Sequence, residues 1–243
     1  MLASRVRMAT FKDSLFIPEG YVLATNDDFS GEINGEFKYI GTDLKVVIPI
    51  KIKGIAVTSY YDMFNSDTGK LVEGVVSYNK NITRMDSMFY DSQATSLDLS
   101  SFDTSNVTNM TRMFYNSQAT SLDLSSFDTS NAYTMGYMFH SSSATTLDLS
   151  SFDTSNVIYM ENMFDGSSAT TLDLSSFDTS NTIDMDNMFY GSNATTLDLS
   201  SFDTSNVLYM DSIFEGSSAT TGYARTQTMH MKLELEIRNW WRV

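Results

Sequence analysis

Two files of aspartates are the residues whose type and spacing could do chemistry. Asp98, Asp123, Asp148, Asp173 and Asp198 recur every 25 residues, each between two leucines. Apolar–polar alternation places them on the outer face of a half-buried strand. Stacked strands lie ~4.8 Å apart, so neighbouring carboxylates repel by about 0.9 kcal/mol in water before salt screening. A hard cation such as Ca²⁺ would relieve that repulsion. The hydroxyls of Thr146, Thr171, Thr196, Ser150, Ser175 and Ser200 would add oxygen ligands. The alternative is a solvated acidic face, because one aspartate per rung is a thin ligand set. A second file, Asp103, Asp128, Asp153, Asp178 and Asp203, precedes the apolar runs and reads as capping groups at helix starts.

A second group is aromatic. The copies of the repeat barely differ over LDLSSFDTSN, but they differ at the positions that follow. Tyr133, Tyr137, Tyr159, Tyr209 and Tyr190 fall in these variable positions, as do Arg112, Tyr115 and His140. Tyrosine offers large contact area at low entropic cost, so this face is a candidate ligand or partner surface. The competing account is relaxed constraint on an exposed face.

Catalytic constellations are not legible. The chain has two histidines, His140 and His230, and no cysteine. No phosphate-cradling glycine loop, HExxH or EF-hand spacing occurs. No catalytic residue, organic cofactor or firm metal site is expected, and the aspartate file is the only cation candidate.

The positioning elements follow from the repeat. LDLSSFDTSN starts at Leu97, Leu122, Leu147, Leu172 and Leu197 without an insertion. A Met-Phe pair keeps the same period from Met63-Phe64 to Met188-Phe189, ending with Ile213-Phe214. About seven turns therefore share one register over 55–221. Thr146 to Ser150 reads as a strand, and Val157, Met160, Met163 and Phe164 recur as one face of a short helix. Twelve of 16 methionines and 12 of 16 phenylalanines lie in the repeats, where core packing explains them better than a sticky surface.

Ala169-x-x-Leu172-x-Leu174-x-x-Phe177 resembles the strand segment of a leucine-rich repeat. The whole unit, LDLSSFDTSNVxxMxxMF, is similar to the 25–26-residue repeat of BspA-like bacterial surface proteins. The stretch from Tyr39 to Ser59 resembles that family's entry segment. The resemblance implies a non-catalytic adhesive or recognition module on a bacterial surface or a phage virion. Its partners would be a host-surface protein or glycan, or other virion proteins. A purely structural decoration or spacer role is the alternative.

The expected architecture is an α/β, leucine-rich-repeat-like solenoid of strand–helix turns over 55–221. An N-terminal arm and β-rich cap would span 1–54, with Asn34-Gly35 as a hairpin turn. A capping strand would fill 222–243, where residues 229–238 alternate apolar and polar. Trp240 and Trp241 would cover the end of the core or anchor a subunit interface. Oligomerisation could use either the arm or this strand.

Composition narrows the partners. Of 243 residues, 15 are basic and 30 acidic, a net charge of −15. Residues 97–221 hold 16 acids against one base, Arg112, which is that entire excess. Such a chain lacks the cations that neutralise nucleic-acid phosphates. No apolar run approaches the ~18 residues of a membrane span. No secretory signal is legible near the N-terminus, which favours a virion over a secreted adhesin.

Overall fold

The computed structural model describes residues 16–33, 36–65 and 72–224. The repeats form a β-solenoid of about eight turns. One ladder is built by the LDL segments: β8 (Ser96–Leu97), β9 (Ser121–Leu122), β10 (Thr146–Leu147) and β11 (Thr171–Leu172) pair in parallel, exactly one repeat apart in register. β12 (Thr196–Leu199) pairs likewise with β13 (Thr221–Ala224). A second parallel ladder runs through single bridges at Ser59, Arg84, Asn109, Thr134, Tyr159, Asp184 and Tyr209.

The expected strand–helix turns are overturned. Among the described residues the one helical element is a short 3-10 turn, Asn26–Asp28. The backbone N–H groups explain why. Those of Met160, Asn162, Phe164 and Gly166 donate to carbonyls of the next coil, at Asp184, Asp186, Met188 and Tyr190 (2.8–2.9 Å). Those of Met163, Asp165 and Ser167 close turns on the residue three before (3.1–3.3 Å). A helix would send them all four residues back along its own chain. Left-handed backbone at Asn162 (φ 55°) and Gly166 (φ 60°) makes the alternation possible, and it recurs at corresponding positions from coil to coil.

Coil spacing excludes helices independently. Packed helices need 8–10 Å between axes, whereas strands need ~4.8 Å. Phe64, Phe89, Phe114, Phe139, Phe164, Phe189 and Phe214 stack with centroids 5.6–5.8 Å apart, on the side where helices were expected. The inward assignment of the apolar residues is unaffected: Val157, Met160, Met163 and Phe164 are fully buried. Spacing of three and four residues buries one side of successive tight turns as well as one side of a helix.

At the N-terminal end, β1 (Val22–Leu23), β4 (Lys45–Ile48) and β7 (Gly74–Ser77) form a parallel sheet, and β4 stops before Pro49. β2 (Phe29–Ile33) pairs antiparallel with β3 (Glu36–Tyr39); Asn34-Gly35 between them lies outside the described residues. A second antiparallel pair is formed by β5 (Lys51–Ile52) and β6 (Ile55–Ala56). Phe29, Phe37 and Tyr39 are buried, and Tyr39 packs on Phe64 at 5.4 Å. These rings cover the first rung, which would otherwise present Phe64 to water. The capping strand proposed for 222–243 falls outside the described residues from 225 onward. So do Trp240, Trp241 and most of the N-terminal arm.

Buried threonines tie each coil to the next. Thr154 Oγ1 donates to the Asp178 carbonyl and accepts from the Asp178 N–H, both at 2.9 Å. Thr104, Thr129 and Thr179 repeat the pair. Thr154→Val is therefore expected to destabilise by about 1–3 kcal/mol despite its equal size, because two backbone groups lose a buried partner. Urea titration followed by circular dichroism measures this, and a change under about 0.5 kcal/mol would show the bonds to be dispensable.

Candidate functional site

The outer face of the LDL ladder carries the first aspartate file. Asp98, Asp123, Asp148, Asp173 and Asp198 are exposed. Each Oδ1 accepts from the N–H of the serine two residues on, at 3.0–3.2 Å. At Ser100, Ser125, Ser150 and Ser175 the hydroxyl donates to the same oxygen at 2.6–2.7 Å. The serines counted above as extra cation ligands thus spend their protons on the aspartates. These bonds close the turn after each strand and hold Asp98, Asp123, Asp148 and Asp173 below the usual carboxylate range. Among the described residues no three His, Cys, Asp or Glu side chains converge as a metal site.

The second file does the same work. Asp103, Asp128, Asp153, Asp178 and Asp203 accept from the N–H of Ser105, Ser130, Ser155, Ser180 and Ser205 at 2.9–3.2 Å. With no helix following, they are turn closers rather than helix caps.

The variable face is divided by the fold. Tyr159 and Tyr209 sit on the second ladder, two coils apart with Asp184 between them. Tyr133 lies one residue before that ladder, and Tyr190 follows the Met-Phe pair of its own coil. All four are exposed. Tyr137 is elsewhere, half-buried at a left-handed corner (φ 60°). Arg112 occupies the same corner of the preceding coil (φ 57°), and its guanidinium lies 4.9 Å from the Tyr137 ring centroid.

Next to that pair runs a second aromatic column. Tyr90 stacks on Tyr115 at 4.7 Å, and Tyr115 on His140 at 4.4 Å, with planes within 9°. His140 Nε2 meets Asp165 Oδ2 at 3.2 Å, where the aromatic run ends. Asp62, Asn65, Ser87, Tyr90, Arg112, Tyr115 and Tyr137 line an open groove of about 390 Å³. Tyr90 and the neighbouring Lys38, which pairs with Asp62 at 2.7 Å, escaped the reading of the sequence. Coil-to-coil variation is the one signal that marks part of this groove, at Arg112, Tyr115 and Tyr137.

Three carboxylates of the face are pushed above their usual range by burial: Glu161, Asp165 and Asp184. Glu161 lies against Gly136, where a Cβ would strike its carboxylate, and Glu161 Oε2 is buried without a hydrogen-bond partner. A carboxylate raised on folding costs stability when ionised and stops costing it as pH falls through the folded value. Glu161→Gln is accordingly expected to raise Tm near pH 7 and to change it little near pH 4, where the native group is protonated. An equal shift at both values would assign the effect to something other than charge. Asp98, Asp103, Asp123, Asp148, Asp153 and Asp173 act in the opposite sense, stabilising at neutral pH and losing that contribution as pH falls through their lowered values.

A family model described as "Mycoplasma protein of unknown function, DUF285" matches residues 51–150 and 119–227. No curated protein and no solved structure matches the chain.

Proposed function

We propose that this protein, which belongs to the DUF285 family, is a non-catalytic recognition module displayed on a bacterial or virion surface. The carrying observation is the contrast between frame and face. Five coils keep LDLSSFDTSN unchanged, while the adjoining ladder varies at equivalent positions, Asn109, the buried Thr134, Tyr159, Asp184 and Tyr209. A hydrogen-bonded frame with a tyrosine-rich variable face suits binding, because rigid aromatic groups make contact with little entropy loss. Likeness of the unit to BspA-like surface repeats supports the same reading. No described helix is long and apolar enough to cross a membrane.

Co-sedimentation of labelled full-length protein with a panel of bacterial cells, phage particles and purified capsular polysaccharides tests the proposal. Saturable binding to at least one cell type or polysaccharide is expected, falling at least tenfold in the triple variant Tyr133→Ser, Tyr159→Ser, Tyr209→Ser or in Tyr137→Ser. Binding to phage particles alone would favour a decoration or spacer role. Absence of saturable binding throughout would remove recognition as the function.

A further inference from the structure

We infer that the groove between coils at Asp62, Ser87, Arg112 and Tyr137 binds a carboxylate-bearing sugar, with the carboxylate on Arg112 and the sugar hydroxyls against Ser87 and the rims of Tyr115 and Tyr137. The inference deepens the recognition reading and rests on it.

Charge comes first. Arg112 is the one cation in residues 97–221, against 16 acids, so its placement in the groove stands out from the electrostatics of the whole rod. Among the described residues no carboxylate oxygen lies within 4.0 Å of its guanidinium, whose charge acts only at longer range on the Glu161 carboxylate. The guanidinium is held on the Tyr137 ring instead, and its edge donors are suited to a planar carboxylate, which they would grip bidentately. Asp62, the acid of the groove, is already neutralised by Lys38.

Backbone strain is the second, independent observation. Asp62, Ser87, Arg112, Tyr137, Asn162, Asn187 and Ser212 share one left-handed corner of the coil. Asn, Asp and other short polar residues tolerate that conformation, whereas long or bulky side chains carry a cost. Arg112 and Tyr137 are the two bulky residues in the column, they are adjacent, and they form the wall of the groove. Strain of this kind persists where the side chain has a use.

The lining then selects the ligand. Both faces of Tyr115 are taken by Tyr90 and His140, and one face of Tyr137 by Arg112, so a sugar meets the electropositive rims of these rings, which suit its hydroxyl oxygens, while Ser87 and the phenol hydroxyls provide hydrogen-bonding edges. The volume falls within the about 300–1,000 Å³ of small-molecule sites. An open groove rather than an enclosed cavity admits a unit within a longer chain.

Isothermal titration of the full-length protein with tetragalacturonate, its methyl ester, 3′-sialyllactose and lactose tests the assignment and separates uronic from sialic acids. Binding of one acid is expected, with at least tenfold weaker binding of its neutral counterpart. Arg112→Asn should lose at least tenfold in affinity for that acid while its Tm stays level or rises, because asparagine suits the left-handed corner. A merely structural Arg112 would instead lower Tm and leave affinity alone. Equal binding of the neutral sugar, unchanged affinity in Arg112→Asn, or no binding of either acid overturns the assignment. Cells that still co-sediment with Arg112→Asn would leave the recognition reading standing without this site, whereas loss of sedimentation by the native chain removes both.

Discussion

Phe139→Ala is expected to destabilise the protein by roughly 3–5 kcal/mol, a large fraction of the about 5–15 kcal/mol that holds most domains together. Phe139 is fully buried, with Phe114 and Phe164 stacked on its two faces at 5.7 Å. Its pocket is walled by three coils whose backbones are hydrogen-bonded to one another, so the walls cannot close over the space left by the ring. The loss therefore combines transfer energy with an unrelaxed cavity. A solenoid is quasi-one-dimensional, and weakening its middle rung also uncouples the two halves. Urea unfolding followed by circular dichroism should show a lower midpoint and a broader or two-step transition. Tyr159→Ala, on the exposed face, should stay within about 0.5 kcal/mol. A loss below 1 kcal/mol at Phe139 would mean that the phenylalanine column is not the core.

Deleting residues 147–171 should leave a folded protein, whereas deleting residues 147–158 should unfold it. The first excision joins Thr146 to Leu172, the register equivalent one coil on of the deleted Leu147. The shortened chain then meets equivalent partners throughout: leucine under leucine, phenylalanine over phenylalanine, and Thr129 facing Asp178 in place of Asp153. Stability falls by about one coil and its interface, read as a modest drop in Tm. The second excision removes half a coil and brings turn residues into the LDL ladder. Every later inward leucine is then out of phase, and the buried hydroxyl pairs vanish with it. Circular dichroism and size-exclusion chromatography distinguish the outcomes. An unfolded product from the in-phase deletion would show that coils are not interchangeable units.

The groove is partly legible in the sequence. Arg112, Tyr115, Tyr137 and His140 belong to the positions where near-identical copies diverge, and that divergence marks them. Their grouping was not legible. Arg112 meets Tyr137 across 25 residues, and Tyr90 reaches His140 across 50, so the cluster exists only after the coils stack. The tyrosines read as one surface are spread over four positions of the coil for the same reason.

By itself the sequence determined the period, the register and the sidedness of this protein. Those follow from an unbroken 25-residue repeat in which one set of positions is always apolar, and burial has no other direction to send such a set than inward. Methionines from Met63 to Met188 are fully buried in consequence. Tertiary structure alone decided the conformation of Val-x-x-Met-x-x-Met-Phe. Three- and four-residue spacing is compatible with a helix and with paired turns, and local propensity does not separate them. The choice is made by hydrogen-bond partners one coil away and by a coil-to-coil spacing that sets successive phenylalanine rings 5.7 Å apart, which admits a turn and excludes a helix.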